Sequence, residues 1–174
     1  MADLAWQADL ARCEPGVTVR TEQSLWAIAV YRLGRRALAR PAGPRRALGV
    51  KLAWTLQGLV ETITGISLPL GVDIGPGLRI HHFGGIFIHN DAVIGAGCTL
   101  RQGVTIGDRR VGGPAPVRED DVDVGAYAQI LGGVRIGRGA RIGAMSVVLA
   151  DVPPGATAVG IPARVLGGNP DIAE

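Results

Sequence analysis

The chain has few aromatic residues, few cysteines and no long apolar segment. Aromatic residues make up 4% of its 174 positions and are scattered, which disfavours nucleic-acid binding in a basic groove lined with aromatic side chains. The two cysteines, Cys13 and Cys98, have the spacing of neither a disulfide framework nor a metal site. No apolar run reaches the ~18 residues that span a bilayer, and the first residues lack a signal-peptide pattern. We therefore expect a cytoplasmic protein.

Glycine and aliphatic residues are abundant. The chain has 27 glycines, and hydrophobic residues make up 47% of it. Such a composition predicts an aliphatic core enclosed by many tight turns. The formal net charge of +3 is concentrated toward the N-terminus, and Lys51 is the only lysine among 18 basic residues. The length fits one domain with a small appendage.

Residues 1–66 show helical spacing of apolar positions. In the segment SLWAIAVYRLGRRALAR, Trp26 and Leu33 share one helix face. The segment ARPAGPRR interrupts this pattern with two prolines and a glycine. A second helical pattern follows, with Leu52 and Leu59 on one face. We therefore predict an N-terminal α-helical segment.

Three arginines recur at a spacing of four on the first of these helices. Arg32, Arg36 and Arg40 lie on a face away from the apolar one. The simplest interpretation is a solvated helix surface. The alternative is peripheral contact with an anionic membrane surface or a polyanionic carbohydrate.

From about Leu68 the apolar positions recur every six residues. The repeating positions are Ile88, Ile94, Leu100 and Ile106, and then Val124, Ile130, Ile136, Ile142 and Val148. The fourth residue after eight of these nine positions is small or β-branched, and glycine often follows the aliphatic residue directly. Neither an amphipathic helix nor a hairpin has a period of six. The pattern predicts a β-solenoid in which three six-residue units form one triangular coil.

The fold class expected is therefore mainly β, a parallel β-helix of hexapeptide repeats preceded by helices. We expect three parts: residues 1–66 as the helical segment, 67–166 as the β-helix and 167–174 as a C-terminal tail. The aliphatic positions point into the prism and stack from coil to coil. The solenoid gains stability by this stacking, because no single repeat buries its own apolar face.

The repeats and the C-terminal motif resemble a known family. The segments IGAGCTLRQGVTIG and DVPPGATAVGIPAR are similar to the left-handed β-helix hexapeptide acyltransferases, and VYRLGRRAL and TITGISLP extend the likeness upstream. The nearest branch is that of the serine O-acetyltransferases, including short relatives from polysaccharide loci. The resemblance implies acetyl-CoA as co-substrate and left-handed coils. It also implies a homotrimer or a dimer of trimers with each active site between two prisms.

The repeat register breaks once within a group of histidines. Ile80 and Ile88 are eight residues apart, so two extra residues must bulge outward near His81 and His82, shortly before His89. In the serine acetyltransferases the same excess follows the catalytic histidine, a position that His82 occupies here. An imidazole titrating near pH 6.5 suits removal of a proton from an attacking alcohol. We predict His82 as the general base.

The resemblance also places the coenzyme. The pantetheine arm is expected along the groove between prisms, against the small residues Gly107, Ala126 and Ala144. Arginines pair well with phosphate groups. The candidates for the phosphates of coenzyme A are Arg141 and Arg164, with Arg138 as a further one.

The sequence departs from the serine acetyltransferases around the acceptor. Ser67 and His81 stand where that family has aspartates, and Ala115 stands where it has a second histidine. These changes favour a sugar or another small hydroxylated acceptor, with serine as the alternative. The candidate acceptor-binding residues are His81, His89 and Asp108, and Asp73 is a candidate to orient His82.

Two other functions are considered. The three histidines permit a zinc enzyme of the γ-carbonic-anhydrase type, but the PPGATAVGIPAR motif belongs with the coenzyme A enzymes. An inactive scaffold subunit is the other alternative. We expect an acetyltransferase without a metal.

Overall fold

The computed structural model describes residues 4–167, which begin with three helices. The helices are α1 (Leu4–Ala11), α2 (Ser24–Leu38) and α3 (Pro44–Thr64). Pro44 lies in the first turn of α3, where the missing N–H removes no helical hydrogen bond. Gly65 ends α3 in the left-handed conformation, with φ of 65°, and donates its N–H to the Glu61 carbonyl.

Fifteen strands follow in this part of the chain and form three sheets, each a face of a prism. The first face contains β1 (Ile66–Ser67), β4 (Ile86–Ile88), β7 (Thr105–Gly107), β10 (Gln129–Leu131) and β13 (Val147–Val148). The second face contains β2 (Asp73–Ile74), β5 (Val93–Ile94), β8 (Val117–Arg118) and β11 (Arg135–Ile136). The third face contains β3 (Arg79–His81), β6 (Thr99–Arg101), β9 (Asp123–Val124), β12 (Arg141–Ile142), β14 (Thr157–Gly160) and β15 (Ala163–Val165).

The chain visits the three faces in turn and completes about five coils. All strand pairs are parallel except β14 with the terminal β15. On the first face Ile106 pairs with Ile88 and Ile130, and Ile130 pairs with Val148. Each of these side chains is at most 5% exposed. The six-residue period and the predicted fold class are confirmed.

The interior contains one residue that the repeat pattern did not predict. Arg118 occupies the inward position of β8, pairs in register with Ile94 and Ile136, and is 1% exposed. All three of its guanidinium nitrogens lack a hydrogen-bond partner within the described chain. Burial lowers the pKa of Arg118 to about 10, and the neighbouring Cys98 opposes this shift. A cation thus replaces an aliphatic side chain in the third coil.

The predicted solvated arginine face on α2 is wrong for Arg32. Its guanidinium is 5% exposed and forms two hydrogen bonds, of 2.8 and 3.0 Å, with the fully buried carboxylate of Asp9. It also donates to the carbonyl oxygens of Ile74 and Gly75 in the first coil. Each charge of this buried pair depends on the other, because removing one partner would leave the other charge buried without compensation. The contact fixes α1 and α2 against the end of the prism.

No helix between residues 4 and 167 combines the length and apolarity needed to cross a membrane.

Candidate active site

Two edges of the prism depart from the regular repeat. We call the edge between the third and first faces the His82 edge, because residues 82–85 connect β3 to β4 there. We call the edge between the first and second faces the loop edge, because residues 108–116 connect β7 to β8 there. The two edges lie at opposite ends of the strands of the first face.

The two extra residues form an outward bulge at the His82 edge. His82 and Phe83 are exposed, while Ile80 and Ile86 on either side are fully buried. Gly103 in the next coil donates its N–H to the Gly84 carbonyl at 2.9 Å. The backbone of successive coils is therefore stacked again directly after the bulge. No hydrogen bond within residues 4–167 ties down the His82 imidazole, which is therefore open to an acceptor.

The backbone of His82 lies in the left-handed region, with φ of 63°. A residue with a Cβ adopts this conformation at a cost of about 1–2 kcal/mol. Gly103, Tyr127 and Met145 adopt it in successive coils along the same edge, so it belongs to the turn geometry of this edge. The bulge and its exposure, rather than backbone strain, distinguish His82 from its neighbours.

A cleft of about 360 Å³ lies beside the bulge. The connection between α1 and α2 supplies one wall through residues such as Glu14, Thr21 and Glu22, and the opposite wall contains His81 and His82. Sequence reasoning missed this wall, because nothing in the repeat pattern relates residues 14–23 to a bulge some 60 positions later. The cleft thus places two carboxylates near the histidine pair.

One of these carboxylates is held rigidly. Glu22 accepts hydrogen bonds from both terminal nitrogens of Arg79, at 2.6 and 3.0 Å, and from the Ser24 hydroxyl at 2.8 Å. Burial acts to raise the pKa of Glu22, but the hydrogen bonds from Arg79 and Ser24 outweigh it and lower that pKa. Glu14, in contrast, is exposed. The wall therefore has one fixed ion pair and one accessible carboxylate.

His81 lies beside two arginines on the third face. It pairs in register with Arg101, and Arg79 is two positions before it on β3. Burial first, and then the charges of Arg79 and Arg101, lower the pKa of His81 below its usual 6.5. His81 is therefore mainly neutral at neutral pH.

Two of the small residues predicted to contact coenzyme A follow His82 along the same edge. Met145 donates its N–H to the Ala126 carbonyl at 2.8 Å, which places Ala126 and Ala144 in successive coils. Ala144 is exposed and Ala126 is half-buried. The column from His82 to Ala144 is an edge on which an extended chain can lie against the backbone.

The predicted arginines lie on or beside the third face. Arg141 on β12 and Arg164 on β15 are exposed, and neither forms an ion pair within the described residues. Arg138, in the turn before β12, lies 3.6 Å from a carboxylate oxygen of Asp120. Arg141 and Arg164 are thus the better placed of the three to pair with an anion.

The remaining predicted residues lie at the loop edge. Gly107 ends β7, and Asp108 begins the loop, where it accepts the Gly112 N–H at 3.0 Å. His89 is at the same edge one coil earlier, and its Nδ1 accepts the Asp91 N–H at 3.2 Å. Within one chain the structure does not bring these residues together with His82, because β4 and β7 separate the edges.

The altered acceptor positions are also spread over both edges. Ser67 is on β1 in register with Phe87, and Ala115 is in the loop before β8. Asp73 is on the second face, where it pairs with Arg35 at 3.0 Å, so it does not orient His82. Between residues 4 and 167 no three His, Cys, Asp or Glu side chains converge in one chain as metal ligands.

Comparisons with known proteins agree with this architecture. Residues 119–150 match the family described as bacterial transferase hexapeptide (six repeats). A serine acetyltransferase of Synechococcus elongatus is 42% identical over 113 residues, which are 64% of this chain and 46% of that protein. The chain spans about half the length of the curated relatives that it matches first.

Solved structures match over a larger share of the chain. Soybean serine acetyltransferase complexed with serine has a TM-score of 0.79 and 32% identity, over 93% of this chain and 68% of that one. A serine acetyltransferase in complex with CoA has a TM-score of 0.74 and 32% identity, over 94% and 66% of the two chains. The fold and the repeats define a left-handed β-helix protein of the hexapeptide acyltransferase class. Within that class, the chain belongs to the serine acetyltransferase-like family.

Proposed function

We propose that this protein is an acetyl-CoA-dependent O-acetyltransferase in which His82 is the general base. The observation that carries the proposal is the exposed imidazole of His82, placed by a register break beside a cleft in a chain of this family. The accessible carboxylate of Glu14 on the opposite wall supplies a contact for an acceptor.

The reaction follows from the chemistry of an alcohol and a thioester. Acetyl-CoA supplies the acetyl group in activated form. His82 accepts the proton of the acceptor hydroxyl while the hydroxyl oxygen forms a bond to the acetyl carbon. The tetrahedral adduct then expels the coenzyme A sulfur, which takes the proton back from His82. The acceptor leaves as an acetate ester and His82 is neutral again.

The column of small residues fits the coenzyme. Ala126 and Ala144 leave the backbone at the His82 edge open to an extended pantetheine arm, and Arg141 and Arg164 are free to pair with phosphate oxygens. Gly107 is at the other edge. We therefore propose that Gly107 contacts coenzyme A bound along the His82 edge of a neighbouring copy.

A complete site requires two copies of the chain. The bulge at the His82 edge and residues His89 and Asp108 at the loop edge lie on opposite sides of one prism. In the trimer that we propose, prisms packed around a threefold axis would bring the His82 edge of one copy against the loop edge of the next. This arrangement supports the expected trimer, or a dimer of trimers, with acceptor contacts from His81, His89 and Asp108.

We propose L-serine as the first acceptor, in place of the sugar expected from the sequence. The relatives and solved structures found are serine acetyltransferases, one of them solved with serine. The accessible Glu14 in the cleft offers a carboxylate for an ammonium group, in place of the aspartates that the family has at the positions of Ser67 and His81. A neutral hydroxylated acceptor is the second candidate. Glu22 is already paired with Arg79 and His81 is mainly neutral, so neither supplies a free charge for the ammonium or carboxylate group of an amino acid.

The decisive experiment follows coenzyme A thiol release from acetyl-CoA with L-serine, other amino acids and a set of sugars. We expect release with L-serine, and Glu14→Gln should lower kcat/KM for serine about 10–100-fold, the loss of one hydrogen bond to a charged group. Glu61→Gln, on α3 outside the cleft, is the matched control and should leave the rate unchanged. Release with sugars alone would contradict serine as the acceptor, and no release with any acceptor would contradict the enzyme activity.

A further inference from the structure

The hairpin of α2 and α3 exposes an apolar surface at the end of the prism. Of the 21 residues of α3, only Ala53 and Thr64 are buried. Its exposed apolar side chains are Leu48, Leu52, Trp54, Leu59 and Ile63, each more than half exposed. By helical spacing Leu48, Leu52, Leu59 and Ile63 share one face of α3, whereas Trp54 lies on another face, toward Leu38 of α2. A group of exposed apolar side chains of this size marks an interaction surface.

A groove on this hairpin combines apolar and cationic side chains. Its open volume is about 670 Å³, with Leu38, Val50 and Trp54 among its apolar lining and Arg46 and Lys51 among its polar lining. A second hollow adjoins it around the turn between the helices, where Arg40, Arg45 and Arg46 line the surface. We call these two hollows the hairpin groove.

The charge of this region is entirely positive. Between Glu22 and Glu61 the sequence contains seven basic residues and no acidic one. Arg32 and Arg35 are paired with Asp9 and Asp73. The cations of the hairpin groove, Arg40, Arg45, Arg46 and Lys51, have no ion pair within the described chain and lie around apolar side chains. Exposed cations around apolar residues complement a surface that is both anionic and apolar.

We propose that the hairpin groove docks on the surface of an anionic lipid bilayer. Trp54 then lies at the level of the headgroups, where the amphipathic indole ring is favoured. Arg45, Arg46 and Lys51 face the anionic headgroups, and the apolar lining of the groove, with Leu38 and Val50, faces the boundary with the acyl chains. A second copy of the chain in this groove would instead place two unpaired cation clusters against each other. The proposal concerns a face separate from the cleft beside His82, so it is independent of the proposed acetyl transfer.

The test is sedimentation of the full-length protein with lipid vesicles. We expect binding to vesicles of phosphatidylcholine mixed with phosphatidylglycerol, loss of binding at high salt, and little binding to phosphatidylcholine alone. The emission of Trp54 should shift to shorter wavelength on binding, and Trp54→Phe should remove that shift. The triple variant Arg45→Gln, Arg46→Gln, Lys51→Gln should bind about 100-fold more weakly, since each cation near the surface contributes about fivefold.

A variant with the same loss of net charge elsewhere distinguishes binding by this surface from binding caused by the net charge of the protein. The triple variant Arg109→Gln, Arg110→Gln, Arg135→Gln removes three cations of the prism and should bind anionic vesicles like the parent protein. Equal weakening by both triple variants, or equal binding to both kinds of vesicle, would overturn the proposal. Absence of binding together with a dimer of trimers that Val50→Arg dissociates would also overturn it, and would assign the groove to a second copy.

Discussion

The His82 edge and the loop edge both interrupt the regular coils, but they do so in different ways. The break at the His82 edge adds two residues, and the strands before and after it keep their buried positions. The break at the loop edge inserts residues 108–116, and the strand that follows carries Arg118 inward. The short bulge exposes His82 without changing the aliphatic interior of the solenoid. The long loop, in contrast, is followed by a coil whose interior contains the cation of Arg118. An interruption of the regular coil thus marks a candidate site. The longer of the two interruptions is also the one that accompanies a change in the interior of its coil.

The largest expected effect tests whether the two edges form one site. His82→Ala should lower kcat by about 10²–10⁴-fold with the assembly intact, because the proposed general base is lost. If a site combines the His82 edge of one copy with the loop edge of the next, His82→Ala and Asp108→Ala chains should complement each other. Random co-assembly in a trimer gives about one quarter of the sites two intact edges.

The measurement uses the two variants with different affinity tags, co-expressed and purified through both tags. Thiol release by the mixed assemblies should clearly exceed that of either variant alone. Mixed assemblies no more active than the mean of the two pure variants would show that each site uses a single chain. Sedimentation of each variant checks that the assembly itself is preserved.

The next effect concerns the interior beneath the loop edge. Arg118→Leu should raise the free energy of unfolding by about 3 kcal/mol, because it removes a buried cation without a hydrogen-bond partner, whose burial lowers the pKa of Arg118 to about 10. The matched variant Ile136→Ala, at the register neighbour of Arg118, should instead lower it by about 2–5 kcal/mol. Denaturant unfolding measures both. A loss of stability in Arg118→Leu would mean that the guanidinium has a partner in the folded assembly.

The two edges also show what the sequence could predict. The solenoid was predictable because each aliphatic position repeats many times, and the bulge was predictable as a departure from that repeat. Arg118 was not, because an arginine in a single repeat after a long loop does not look like an interior position. The wall of Glu14 and Glu22 was missed because contacts between distant segments leave no periodic signal. Arg32 was misassigned to solvent because helical spacing identifies a face but not what covers it.

The smallest effect is a pH dependence at the His82 edge. Because the pKa of His81 is lower in the folded state than the 6.5 of an unfolded histidine, the unfolded state binds more protons in the window just below pH 6.5. The folded protein should therefore lose stability as the pH falls from 6.5 toward the folded pKa of His81, and no such loss should arise from His81 above that window. His81→Asn removes this titration, so its unfolding free energy should fall less than that of the parent protein between pH values of about 7.5 and 5.5. Parallel pH profiles for the two proteins would contradict a neutral His81 between Arg79 and Arg101.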